Sequence, residues 1–440
     1  MRALLVSTYE LGRQPFGLAS PAAWLQREGF DVRCVDVAKE PFPVDAAREA
    51  ALVGFHLPMH TATRLAAPLI GKVRELNPAA RICAYGLYAP LNGDWLRTLG
   101  VDDILGGEFE GELAAIAREL VAATVTVAHG PAEAGPHGLT GRHRGQALPR
   151  LQFLVPDRTG LPPLTSYATL QVGPERLTTG YTEASRGCRH LCRHCPVVPV
   201  YQGQFRVVQP EVVLADVAAQ VAAGARHITF GDPDFLNGPT HALRIVDALH
   251  HAHPTVTYDV TIKVEHLLQH QELLDRLHET GCLFVTSAVE SLDDRTLDIL
   301  DKGHTRQDVL AVVALCRRAG LTLVPTFVAF HPWQTLEGYC DLLQVIEAED
   351  LVDHVAPIQL AIRLLIPQGS RLLETEVLRR LPLSFDPATL AYRWAHPDPR
   401  VDALHEEVSA LVGSQLASDR REVFEQIATL AHARAGLVRL

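Results

Sequence analysis

The chain of 440 residues has room for two to three domains, and 47% apolar against 21% charged residues is the balance of a packed globule. A formal charge of -11 offers no basic field to a phosphate backbone, which argues against a nucleic-acid partner, and no apolar run reaches the roughly 18 residues that a membrane span needs. The opening stretch from Met1 to Ser7 is too short for a signal peptide, and three of the eight cysteines crowd into one motif, so the expected compartment is a reducing cytoplasm.

Residues 1 to 121 alternate strand and helix. Strands are expected at Ala3 to Ser7, Val32 to Val37, Leu52 to Leu57, Arg81 to Gly86 and around Ile104, with helices at Pro21 to Glu28, Thr61 to Leu76 and from Glu108. Such alternation predicts a doubly wound parallel sheet. Residues 122 to 150 mix Gly, Pro, His and Arg without periodicity and read as a linker, with the approach to the next domain ending near 176.

From 177 to 366 strand and helix alternate again. Six strands are expected, at Gly180 to Ala184, His227 to Phe230, Thr257 to Lys263, Leu283 to Val289, Thr322 to Phe330 and Ala356 to Leu365. Six such units make a partial barrel, whose active groups collect at the carboxyl ends of the strands. Residues 367 to 440 form a helical extension, with helices from Pro399 to Leu416 and Ser418 to Ala433.

The most specific motif follows the first barrel strand. Cys188, Cys192 and Cys195 stand at C-x3-C-x2-C with no fourth cysteine nearby. Three thiolates on one short loop suit a 4Fe-4S cluster whose fourth iron carries no protein thiolate. A zinc knuckle completed by His190 or His194 is the structural alternative, and it would make the chain a noncatalytic metal-binding protein. At the second strand end, Gly231, Asp232 and Asp234 offer acceptors to a cationic amino group. Lys263 and Glu265 end the third strand, Glu290 and Ser291 the fourth, and Arg363 interrupts the apolar sixth; Lys302-Gly303 reads as a helix end.

The run Glu183-Ala184-Ser185-Arg186-Gly187-Cys188-Arg189-His190-Leu191-Cys192-Arg193-His194-Cys195-Pro196 resembles the signature of the radical S-adenosylmethionine (SAM) superfamily. The resemblance implies that the amino and carboxylate groups of SAM chelate the open iron and that the cluster cleaves SAM reductively. His194 would lie along the adenine, and Gly231, Asp232, Asp234, Lys263, Glu290, Ser291 and Arg363 would hold the cofactor. It also implies a small-molecule substrate, organic or metalloid, and an electron donor such as flavodoxin or ferredoxin. Residues 1 to 121 resemble the cobalamin-binding-like domain that precedes many such barrels, with Leu105-Gly106-Gly107-Glu108-Phe109-Glu110 as its closing turn. The D-x-H-x-x-G that supplies an axial histidine is absent, so cobalamin stays an option without a protein ligand. Over nearly its whole length the chain resembles the CUAEP/CCAEP-tail radical SAM proteins, but no cysteine follows Cys340, so the pair that names that family is missing. Cobalamin-dependent methyl transfer and aminocarboxypropyl transfer are the alternative reactions implied.

Overall fold

The computed structural model describes residues 1–129 and 151–439. They form two compact units, Met1–Gly187 with Pro199–Gly231, and Cys188–Val198 with Asp232–Leu440. The linker expected at 122–150 begins later than its sequence suggests, because the helix Glu110–His129 runs through it; the rest of that segment lies outside the described residues.

In the first unit β1 (Arg2–Ser7), β2 (Asp31–Asp36), β3 (Leu52–His56), β4 (Arg81–Tyr85) and β5 (Asp103–Leu105) make a parallel sheet in the order β2-β1-β3-β4-β5. Both faces are covered, so neighbouring residues go to opposite cores. Leu4, Val53 and Ile82 pack with Ile70 and Val73 on one side. Leu5, Leu52 and Cys83 pack with Leu18, Leu25 and Leu113 on the other. The first helix starts at Phe16 rather than Pro21, with Pro21 inside it. A proline there removes the hydrogen bond that the carbonyl four residues earlier would accept. That carbonyl, on Gly17, accepts instead from Tyr85 Oη at 2.9 Å, so tertiary structure repairs a break that the sequence reads as a boundary.

The same unit holds a hairpin absent from the sequence expectation, β6 (Thr169–Val172) antiparallel to β7 (Glu175–Thr182). The short pair β8 (Ser185–Gly187) and β9 (Phe205–Val207) follows, and β10 (His227–Phe230) lies parallel to β7. The helix Pro210–Ala222 makes the crossover. Its Asp216, 1% exposed, takes both Nε and Nη2 of Arg158, which also bonds Gln14 Oε1 and the Tyr181 carbonyl.

In the second unit β11 (Thr257–Thr261), β12 (Cys282–Glu290) and β13 (Thr322–Phe327) are parallel neighbours. The expected sixth strand is not one. Its first half is a 3-10 turn, Pro357–Ala361, and only a bridge between Phe330 and Arg363 survives. Pro357 lacks the N–H that an interior strand has to donate. The α/β class, the doubly wound first domain, the half-barrel repeat and the helical carboxy-terminal segment are as the sequence implied.

Removing one member of a buried ion pair strands the other. Asp216→Ala is therefore expected to cost about 3–5 kcal/mol in the first unit, read as a lowered midpoint in denaturant unfolding followed by circular dichroism.

Candidate functional site

The cysteine loop is held from both ends. At its start Gly187 has φ +78°, and a Cβ there would lie 2.4 Å from the Gln204 carbonyl oxygen, so only glycine fits. Within the loop Arg193 caps the end of the helix Asp294–Leu300: its backbone N–H donates to Leu300 O at 2.9 Å, and its Nη1 to Asp298 O and Ile299 O at 3.0 and 2.9 Å. A cation on the last carbonyls of a helix is well placed against the helix dipole. From the carboxy-terminal segment Arg371 Nη1 donates to Leu191 O at 3.0 Å. Burial pushes the Cys188 and Cys195 thiols up to about 11 and about 12, so any metal or cluster has to displace their protons.

One residue before this loop's Gly187, Arg186 is buried in an acidic and aromatic cage. Its guanidinium meets both oxygens of Glu110 at 2.6 and 2.7 Å and Glu183 Oε2 at 2.7 Å. Phe16, Phe109 and Phe153 surround it with ring centroids 5.6, 5.4 and 5.0 Å away. Burial pushes the Glu110 carboxyl up, but Arg186 outweighs it and the carboxyl ends below its ordinary value.

Around the loop the second unit gathers two polar groups. In the first, Asp234 is 1% exposed; its Oδ1 accepts from Leu236 N at 3.2 Å, and its Oδ2 lies 3.3 Å from His190 Nε2 and 2.7 Å from His266 Nδ1. Lys263 Nζ stands 3.0 Å from both His190 Nδ1 and Glu265 Oε2, under Gly303, where a Cβ would lie 2.9 Å from that same oxygen. In the second group, Glu290 sits at φ +71°, a strained conformation for a side chain of this size, at the irregularity where β12 leaves register with β13. The strain aims its carboxylate at His194 Nε2, 3.0 Å away, and Lys302 Nζ, 3.4 Å away. Burial raises this carboxyl, yet Lys302 and His194 together hold it at about 2.

The structure thus brings together Cys188, Cys192, Cys195, His194, Asp234, Lys263 and Glu290 in one unit. Ser291 spends its hydroxyl on Asp293 N at 3.1 Å, at the turn before the helix Asp294–Leu300. Gly231 belongs to the first unit, where a Cβ would collide with Tyr181 Oη at 1.8 Å; Asp232, 2% exposed, opens the second. Arg363 joins none of these groups: it bonds Asp402 at 2.8 Å and the Trp394 carbonyl at 2.8 Å, and lies 3.6 Å over the Trp394 ring, anchoring the carboxy-terminal segment. Sequence reasoning missed His190 as a partner of Asp234, as well as His266 and Arg186. Lys302-Gly303 does follow the end of the helix Asp294–Leu300, where Lys302 N donates to Leu297 O at 3.0 Å, and the Lys302 side chain, 3% exposed, in addition pairs with Glu290.

The donor geometry tests the metal alternatives. A tetrahedral zinc at about 2.3 Å from each sulfur needs thiolates about 3.8 Å apart. Among the described residues the one group of three or more donors within 4.8 Å of one another is Cys188, His190 and Asp234, so the three cysteines are not gathered about a single ion. A cubane spreads its thiolates over separate irons, and three buried or half-buried thiols on one loop fit it. Cobalamin fares differently. In an open α/β sheet the ligand crevice lies where strand order reverses, here between β1 and β3. His56 fills it: a Cβ on Gly17 would lie 2.0 Å from its ring and one on Gly86 3.2 Å from it. Its ring stacks on Tyr85 at 5.3 Å, and its Nδ1 is 2.6 Å from Glu10 Oε1. These residues do not fit a group that has to enter that crevice.

Gly187→Ala is expected to leave a folded chain with unchanged far-ultraviolet dichroism but a severalfold lower iron content after anaerobic reconstitution, because the added Cβ has to move the loop's entry off the Gln204 carbonyl.

Comparison with known proteins fits this geometry. Residues 182–346 match the family model of the Radical SAM superfamily. The tRNA-2-methylthio-N(6)-dimethylallyladenosine synthase of Desulfosudis oleivorans is 29% identical over 182 residues, 38% of either chain. The bacteriochlorophyllide d C-8(2)-methyltransferase of Chlorobaculum tepidum is 24% identical over 174 residues, 37% of this chain and 38% of that one. The chain therefore spans well under half the length of the curated relatives it matches. Among solved structures, the cobalamin-dependent SAM radical enzyme OxsB superposes with a TM-score of 0.74 at 13% identity, over 98% of this chain and 71% of its own. The radical SAM methyltransferase TsrM of Kitasatospora setae gives 0.59 at 18% identity, over 79% and 70%. At such identities the likeness is one of fold. Among the described residues no helix is long and apolar enough to cross a membrane. Residues 182–346 are thus a radical SAM domain, preceded in the chain by a domain of the cobalamin-binding-like fold.

Proposed function

We propose that the chain is a radical SAM enzyme that modifies a small organic substrate, drawing its electron from a donor such as flavodoxin or ferredoxin. The observation that carries this reading is the cysteine loop: three thiols held in place by Gly187, Arg193 and Arg371, yet not converging on one ion. A 4Fe-4S cluster bound by Cys188, Cys192 and Cys195 would supply one electron to the sulfonium of SAM.

The chain's own residues then bind and orient. Asp234, with one oxygen fixed by Leu236 N, offers its other oxygen to the ammonium of SAM. Glu290, kept ionised by Lys302 and His194, accepts from a ribose hydroxyl or the same ammonium. Gly231 and Asp232 shape the turn before Asp234, and Lys263 with Glu265 closes the polar edge. Ser291 fixes the turn that follows Glu290. The net charge of -11 supports a small substrate over a nucleic acid.

Anaerobic reconstitution with iron and sulfide, reduction with dithionite and mass spectrometry of the products from SAM tests the proposal. Methionine with 5'-deoxyadenosine is the expected result, and single alanine replacements of Cys188, Cys192 or Cys195 are expected to abolish both cluster and products. Methylthioadenosine instead would favour aminocarboxypropyl transfer, a methylated product only with added cobalamin would favour methyl transfer, and no iron uptake or SAM turnover would overturn the enzyme reading. Glu290→Gln removes a charged acceptor and is expected to weaken SAM binding about 10- to 100-fold, measured by equilibrium dialysis on the reconstituted protein.

A further inference from the structure

Asp234 has neighbours that do not satisfy it in the ordinary way. His190 Nε2 and His266 Nδ1 lie 3.3 and 2.7 Å from its Oδ2, but none of these three buried atoms makes a hydrogen bond of acceptable direction. Leaving them so would cost about 1–3 kcal/mol per group. The three atoms lie close together and buried. Cys188 Sγ lies within 4.8 Å of the ligand atoms of His190 and Asp234.

We propose that the cluster-free chain binds one divalent borderline cation, Zn2+ being the best match, through Cys188, His190 and Asp234. One sulfur, one imidazole and one carboxylate are a donor set zinc accepts, with a fourth position left to water. The surroundings supply the outer partners such a site uses. With Nε2 on the metal, Nδ1–H of His190 donates to Glu265 Oε2, 3.5 Å away, while Lys263 Nζ, which otherwise donates to that Nδ1 at 3.0 Å, keeps its contact with Glu265. His266 lies outside the triad, with its Nδ1 2.7 Å from Asp234 Oδ2, close enough to donate to the carboxylate once the ion has drawn it into line. Zinc is preferred over magnesium or calcium because a thiolate and an imidazole are poor ligands for those hard ions. The thiol proton of Cys188 leaves on binding.

Cys188 serves both occupants, so the two exclude each other. Zinc availability then sets how much of the chain is able to take up the cluster. The ion shares Cys188 and Asp234 with the catalytic reading but needs neither Cys192 nor Cys195, so its binding is tested apart from cluster assembly.

A Cys192→Ala/Cys195→Ala chain, unable to hold a cluster, is titrated with Co2+ as a spectroscopic probe and then with Zn2+. The expected result is one Co2+ per chain, with a thiolate-to-metal charge-transfer band and tetrahedral ligand-field intensity, displaced by Zn2+. Adding Cys188→Ala abolishes the band, adding His190→Ala abolishes stoichiometric binding, and adding His266→Ala weakens it about 10- to 100-fold. No band in the doubly substituted chain with native far-ultraviolet dichroism, or a band that survives Cys188→Ala, would sink the proposal. Should that chain misfold, the wild-type chain stripped of iron is titrated beside its His190→Ala variant, with the same outcomes deciding. Zinc preloading of the wild type should also slow iron-sulfide uptake until a chelator is added; equal uptake rates with and without zinc count against mutual exclusion.

Discussion

The burial of Arg186 between Glu110 and Glu183 is the interaction that fixes the first unit's chain just before the cysteine loop. A guanidinium removed from water loses several kcal/mol of solvation, and only paired carboxylates in good geometry offset that. The pairing with Glu110 is bidentate, and three aromatic rings line the rest of the cage, where a cation over a ring face gains further attraction. Displacing Arg186 would leave charge buried on both sides. The residue is therefore fixed, and with it the left-handed turn at Gly187 from which Cys188 departs. A loop of three cysteines has little regular structure of its own, and within its own unit Arg193 and Arg371 hold it.

Charge is arranged in the second unit on a similar logic but toward a different end. Glu290 combines a left-handed backbone, a lysine and a histidine, which together keep a buried carboxylate ionised and aimed. Such strain persists where surrounding structure over-determines it, as the register irregularity of β12 and β13 does here. Asp234 is held less completely, and its unsatisfied approach to two imidazoles is what separates it from an ordinary ion pair.

The amino-terminal domain shows how fold and ligand part company. Its strand order places the crevice between β1 and β3, and its likeness in fold to cobalamin-dependent enzymes is extensive. Yet His56, Glu10 and Tyr85 occupy that crevice themselves, and Gly17 is a glycine because the His56 ring leaves no room for a Cβ.

By itself the sequence determined the class of the fold and the cluster loop. Both are short-range signals: strand and helix periodicity over ten or so residues, and three cysteines within eight. Asp234 and Glu290 were legible because each falls at or just past the carboxyl end of an expected barrel strand, where active groups collect. What only the tertiary structure decided lies in long-range pairing. Arg186 meets Glu110 across 76 positions, His266 meets Asp234 across a strand and a helix, and Arg363 pairs with Asp402. Pro21 inside a helix and Pro357 in place of a strand failed as punctuation for the same reason. A proline states which local hydrogen bond is missing, and only the folded chain states whether Tyr85 or nothing takes its place.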